Sequence, residues 1–284
     1  MTVGFIGLGQ IGRPMALRLV DLPGGLWVCD VDPGATSVLE RAGARVASTP
    51  REVAEHASVV SVMVRDDDQV RAVLTGPDGL LAGARAGTVV AVHSTIHPDT
   101  AAGLAQLADP FGVDVLDAPV SGGAMGARKG TLAILVGGTD EAFAAAQESL
   151  SCMGSLVVRL GPIGAGTRAK LARNLLHFVA FTAVTEAQRL AQAAGIDLIE
   201  LGKVVRHTDA ITGGPGAIML RDTAAPMTAD DDWYPILDHV RALGEKDLAF
   251  AIELADQLGV DAPLARLALD RLGPGLGLPL KETV

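Results

Sequence analysis

Short, continuous apolar runs alternate with amphipathic stretches over the first half of the chain. Val3-Gly4-Phe5-Ile6, Leu26-Trp27-Val28-Cys29, the run from Val59 to Val64, and Val89-Val90-Ala91-Val92 have the pattern of strands covered on both faces. Between them, Pro14 to Val20, Ala35 to Ala42, Asp68 to Leu74 and Asp99 to Ala108 space their apolar residues as helices do. Val113 to Asp117, Ala133 to Val136 and Leu156 to Val158 continue the strand series, with a helix over Glu141 to Leu150. This βαβ rhythm predicts an α/β fold built on a doubly wound, mostly parallel sheet.

The rhythm stops at Gly161-Pro162-Ile163-Gly164-Ala165-Gly166, after which no convincing strand follows. We therefore expect two domains, 1–162 and 163–284, the second all-α. Its first helix is expected from Thr167 to about Ala194, roughly 40 Å long and apolar around most of its middle circumference. A helix of that kind needs cover on all sides, which predicts a homodimer or homotetramer through residues 167–194. Further helices are expected over Leu198 to Val205, Tyr234 to Leu258 with a break near Gly244, and Pro263 to Leu272.

The run Gly7-Leu8-Gly9-Gln10-Ile11-Gly12 sits between the first strand and the first helix. In that context Gly7 permits a tight turn, Gly9 lets backbone approach a pyrophosphate, and Gly12 lets helix pack on strand. The first domain is thus expected to be of Rossmann type, with Gln10 and Ile11 also in the dinucleotide cradle. Asp30 ends the second strand, where a carboxylate accepts hydrogen bonds from the adenosine ribose hydroxyls. Because Val31-Asp32-Pro33 follows with no arginine, NAD is expected as cofactor in preference to NADP.

Charge narrows the function classes. Lys plus Arg number 23 against 33 Asp plus Glu, a formal charge of −10 that disfavours nucleic acid and acidic lipid surfaces. No apolar stretch suggests a membrane span, and the N-terminus has no basic leader pattern. Cys29 and Cys152 form neither a disulfide framework nor a zinc pattern, and the six histidines show no metal-ligand spacing. A cytoplasmic protein without a catalytic metal is the expectation.

Three further groups could carry chemistry. Ser121-Gly122-Gly123 lies in a glycine-rich turn that either holds a substrate carboxylate or is a plain cluster of turn residues. Lys170 and Asn174 stand at i and i+4, sharing one face of the long helix, where an isolated pair could also be a solvated surface. Trp233, beside Asp230-Asp231-Asp232, could close over a ligand.

Four segments in order resemble the β-hydroxyacid dehydrogenase family, the 3-hydroxyisobutyrate dehydrogenases in particular. They are Gly7 to Ala16, Asp117-Ala118-Pro119-Val120-Ser121-Gly122-Gly123, Lys170-Leu171-Ala172-Arg173-Asn174 and Lys246-Asp247-Leu248. The resemblance implies hydride transfer between NAD and a small 3-hydroxy acid. It makes Lys170 the catalytic lysine, Asn174 its helper, and Ser121, Gly122 and Gly123 the carboxylate holders. It further places Met63, Val64, Arg65, Ser94, Thr95 and Lys246 around the cofactor. Lys246 is also expected to be the cation that makes Lys170 a better base. Alternatives are an NADPH-dependent semialdehyde or imine reductase and, from another class, a non-catalytic NAD(H)-sensing protein. The chain departs from the family pattern at His93, at Met63-Val64-Arg65, over His207 to Pro235, which should help shape the substrate pocket, and at Gly273 to Gly277.

Overall fold

Runs of aliphatic and β-branched residues need no polar alternation when helices cover both faces of a sheet, and they form its centre here. In chain order the strands are β1 (Val3–Ile6), β2 (Leu26–Cys29), β3 (Arg45–Val46), β4 (Val59–Val62), β5 (Val89–Val92), β6 (Asp114–Asp117), β7 (Val120–Ser121), β8 (Leu132–Gly137) and β9 (Gly154–Gly161). β1, β4 and β5 are buried at every position. In this computed structural model, which describes residues 1–213, 220–259 and 262–279, the strand order is β3-β2-β1-β4-β5-β6-β8-β7, with β9 paired to β8. β1 to β6 run parallel, while β8 is antiparallel to β6 and β7. β1 lies between β2 and β4, so the order reverses there and the loops leaving β1 and β4 emerge side by side. Such a switch point opens the crevice where α/β sheets bind ligands.

The connecting helices are α1 (Gly12–Leu17), α2 (Pro33–Arg41), α3 (Pro50–His56), α4 (Asp67–Leu74), α5 (Leu80–Gly83), α6 (Pro98–Ala108), α7 (Gly123–Lys129) and α8 (Asp140–Met153). Side chains of Asp32, Thr49, Asp66 and Thr139 accept backbone N–H bonds at the starts of α2, α3, α4 and α8, satisfying donors a helix cannot satisfy itself. Strand alternation sorts the core into two layers. Val3, Phe5, Val59, Val89 and Ala91 pack on one face with residues of α1 and α8; Ile6, Val60, Val62, Val90 and Val92 pack on the other with α3, α4 and α6.

The chain divides into two compact units, Met1–Lys170 and Leu171–Val284. The second consists of most of α9 (Ala165–Ala193) together with α10 (Leu198–Thr212), α11 (Tyr234–Gln257) and α12 (Pro263–Gly275). Phe178 and Phe181 of α9, Leu237, Leu248 and Ile252 of α11, and Ala265, Ala268 and Leu272 of α12 form its core. Among the described residues no helix is long and apolar enough to cross a membrane.

Two local expectations change. The break expected near Gly244 is absent: α11 is continuous, and Gly244 is buried where a β-carbon would lie 2.5 Å from Leu272 and 2.8 Å from Phe178. This glycine serves close helix packing, a tertiary need that reads in sequence as a breaker. The glycine-rich stretch after Ser121 is also more than a turn, because the left-handed residues Gly122 and Gly123 lead directly into α7. The short β3 and α3 carried too little periodicity to be expected.

Candidate functional site

The loop between β1 and α1 is fixed by the chain around it. Gly7 has φ +92, its N–H donates to the Cys29 carbonyl at 3.0 Å, and a β-carbon there would collide with the Met63 carbonyl. A β-carbon on Gly12 would collide with the Gly7 carbonyl. Gly9 differs: a β-carbon there would meet nothing within 4 Å, so this glycine keeps the approach to the loop open. Gln10 is exposed and Ile11 half-buried, and α1 begins without a side-chain cap, its Arg13 and Met15 N–H groups donating to the Gly9 and Ile11 carbonyls of the loop. The Asp30 carboxylate joins this loop from β2, accepting the Leu8 N–H through Oδ2 and the Asp32 N–H at 2.8 Å through Oδ1. An open approach at Gly9 beside a half-buried carboxylate fits a dinucleotide.

Met63 and Val64 are half-buried and Arg65 is exposed in the neighbouring loop after β4. Ser94, after β5, is buried, and its hydroxyl accepts the Val64 N–H at 3.0 Å and donates to the Val64 carbonyl at 2.7 Å. It therefore splices two loops beside the cradle, while Thr95 next to it is half-buried. His93 closes the same region from beneath. Its Nδ1 lies 2.8 Å from the Ala118 carbonyl and its Nε2 3.0 Å from Ser61 Oγ. A carbonyl only accepts, so Nδ1 carries the proton and Nε2 accepts from the serine. Burial lowers the His93 pKa to about 4 against a smaller opposing effect of the Ala118 bond, so the ring is neutral at ordinary pH.

Ser121 is half-buried at the end of β7, and Gly122 and Gly123 are exposed with φ +128 and +59. Asp117, which opens this motif, is buried with both carboxylate oxygens engaged by backbone: Gly164 N–H at 2.7 Å and Thr167 N–H at 2.6 Å. Asp117 thus ties the end of β6 to the start of α9. Burial raises its pKa, and the N–H bonds partly oppose that rise. No spacing rule could have signalled this clasp, since its partners lie 47 and 50 positions away.

Lys170 and Asn174 lie one turn apart on α9, both buried. Asn174 is locked at both ends of its amide: Nδ2 donates to Asp247 Oδ2, and Oδ1 accepts from Arg173 Nη1 at 3.1 Å. Asp247 is buried on α11, and its other oxygen lies 3.3 Å from Lys246 Nζ. Lys246, expected as the cation that makes Lys170 a better base, has this carboxylate beside it and also lies 5.9 Å from the Phe250 ring. Asp247 is a functional residue whose signal in the sequence is its place beside Lys246 in the motif Lys246-Asp247-Leu248. Trp233 caps α11 and packs half-buried against the helical core, its N–H donating to Asp231 at 2.8 Å. Of the segment His207 to Pro235, residues 214–219 lie outside the described residues.

Cys29 and Cys152 are free, and burial raises both thiol pKa values, that of Cys29 to about 11. No group of metal-ligating side chains occurs among the described residues.

Comparison with known proteins covers both units. The family model for the NAD-binding domain of 6-phosphogluconate dehydrogenase matches residues 2–161. The model for the NAD-binding region of NADP-dependent 3-hydroxyisobutyrate dehydrogenase matches residues 164–272. An uncharacterized oxidoreductase of Mycobacterium tuberculosis is 53% identical over 99% of this chain and 95% of its own length. Human mitochondrial 3-hydroxyisobutyrate dehydrogenase is 35% identical over 89% of this chain and 75% of its own. The solved structure of M. tuberculosis 3-hydroxyisobutyrate dehydrogenase with L-serine has TM-score 0.78 at 32% identity, covering 96% of this chain and 92% of that one. The human protein and its mouse, rat and bovine counterparts are mitochondrial, which overturns the cytoplasmic expectation.

Proposed function

Because the chain belongs to the β-hydroxyacid dehydrogenase family and is an NAD(P)-dependent oxidoreductase, we propose that it transfers a hydride between NAD and a small 3-hydroxy acid, with Lys170 as acid and base. Bound nicotinamide supplies the hydride acceptor. Lys170 takes the hydroxyl proton as the hydride leaves the same carbon, so the alcohol becomes a semialdehyde and the proton stays on Nζ; reduction reverses both transfers. Asn174 orients the reacting oxygen. Its amide is held by Asp247 and Arg173, leaving one N–H and one lone pair for that purpose. Ser121 and the N–H groups of Gly122 and Gly123 receive the substrate carboxylate.

Asp30 supports NAD over NADP, since a 2′-phosphate would meet its carboxylate and no cation follows in Val31-Asp32. The −10 charge argues against a nucleic-acid partner. A homodimer or homotetramer through 167–194 is proposed from the apolar pattern of α9 along the sequence; light scattering of a monomer would refute it.

The observation that carries the catalytic reading is Asn174, one turn from Lys170 on α9 and pinned by a buried carboxylate from α11. The test is a panel of 3-hydroxy acids with NAD and NADP, followed by NADH or NADPH absorbance. Turnover that falls at least about a hundredfold in Lys170→Ala, with NADH affinity kept, is expected. Tight NADH binding with no turnover on any acid would instead make the protein a cofactor sensor.

A further inference from the structure

We infer that Asp117 is a positioning residue for the proton transfer, holding Lys170 in register with the turn Ser121-Gly122-Gly123 through the start of α9. The inference rests on the roles proposed above for Lys170 and for that turn, and it concerns the first unit alone, of which Lys170 is the last residue.

The punctuated stretch Gly161-Pro162-Ile163-Gly164-Ala165-Gly166, which the sequence marks as a boundary, is built as a joint against Asp117. Gly164 precedes α9 with φ +87 and has no side chain with which to cap it. The cap comes instead from the end of β6: one Asp117 oxygen accepts the Gly164 N–H at 2.7 Å and the other the Thr167 N–H at 2.6 Å. A β-carbon on Gly166 would collide with the Leu135 carbonyl and lie 2.5 Å from the Asp117 carbonyl. One on Gly137 would collide with the Asp117 carboxylate and lie 2.8 Å from the Ala165 nitrogen. Glycine on both sides thus lets α9 seat directly on the ends of β6 and β8. A polar residue next to the helix would cap it without drawing a carboxylate from the sheet out of water. A cap sent from a strand adds what a local one lacks, a fixed place for the helix relative to that strand.

Both groups of the proposed chemistry hang from this joint. Lys170 follows Thr167 by three residues, about 4.5 Å along the axis of α9. Ser121 follows Asp117 by four, and the backbone between them has no slack. Ala118 donates to the Val92 carbonyl at 2.8 Å and accepts from His93 Nδ1 at 2.8 Å. Pro119 accepts from the Leu135 N–H at 3.0 Å, and Val120 and Ser121 pair with β8. A slide or rotation of α9 at its start therefore moves Lys170 while the turn stays in place. Proton transfer needs its partners within hydrogen-bond reach, and a misplacement of about 1 Å costs about a hundredfold.

The test is a double-mutant cycle on the 3-hydroxy acid that the wild type turns over fastest, using wild type, Asp117→Asn, Lys170→Ala and the double variant. Asparagine keeps the size of Asp117 but turns a donor toward one of the two backbone N–H groups, so the start of α9 must shift. Asp117→Asn should lower kcat at least about tenfold, with KM and fluorescence-read NADH affinity kept within about twofold. In the Lys170→Ala background the same substitution should cost less than about twofold, because the amine it would misplace is gone. Gly166→Ala, made with and without Lys170→Ala, pushes α9 off the Asp117 carbonyl with the carboxylate intact and should reproduce the pattern. It carries the comparison alone if Asp117→Asn does not bind NADH. A wild-type kcat in either variant, or an equal loss with and without Lys170, makes Asp117 a part of the fold only and overturns the inference while leaving Lys170 its role. A Lys170→Ala enzyme with wild-type turnover overturns the catalytic reading, and the inference with it.

Discussion

Acidification should weaken the nucleotide-binding unit through His93, and the size of the effect follows from its surroundings. Unfolded, the imidazole binds a proton below about pH 6.5; folded, burial holds it off until about pH 4. Between those values the unfolded chain carries the extra proton, so stability is complete above about 6.5 and falls as pH drops towards 4. At about 1.4 kcal/mol for each tenfold change in proton concentration, the full loss is about 3 kcal/mol, most of it reached by about pH 4.5. His93→Gln removes the titration while keeping an amide able to donate and accept. Urea unfolding of both proteins from about pH 7.5 to about pH 4.5 isolates the group, because every other carboxylate and histidine is common to the two. Wild type should be the more stable at the neutral end by about 1 to 2 kcal/mol, the worth of well-placed bonds to Ala118 and Ser61. That advantage should vanish or reverse at the acid end. A constant offset across the range would show that the ring is not held neutral by burial, and the reasoning would fail.

Two other changes test the helical unit. Asp247→Ala leaves Asn174 Nδ2 without its acceptor and removes the compensation of Lys246, so kcat should fall at least about tenfold while NADH affinity, read by fluorescence titration, changes less. Gly244→Ala forces a methyl group against Leu272 and Phe178, and thermal unfolding should register a loss of about 1 to 3 kcal/mol; an unchanged midpoint would mean that α9, α11 and α12 are more loosely packed than the distances indicate.

Much of this protein is legible along the chain because its signals are local. A strand buried on both faces is an apolar run, a dinucleotide cradle is three glycines at set intervals, and Lys170 and Asn174 share a face through helical geometry alone. Glycine was the ambiguous letter. Gly244 looked like a helix break and is a packing contact, because the side chains that need its missing β-carbon, Leu272 and Phe178, lie elsewhere in the fold; Gly122 and Gly123 looked like a turn and lead into α7 through positive φ. Partnerships were beyond sequence altogether. Asp117 reaches Gly164 and Thr167, Asp247 reaches Asn174 across 73 positions, and His93 joins Ser61 to Ala118. Each is one of many carboxylates or histidines that could have faced water. Which of them is drawn inside, and against what, is settled only when sheet and helices pack and every buried donor must find an acceptor.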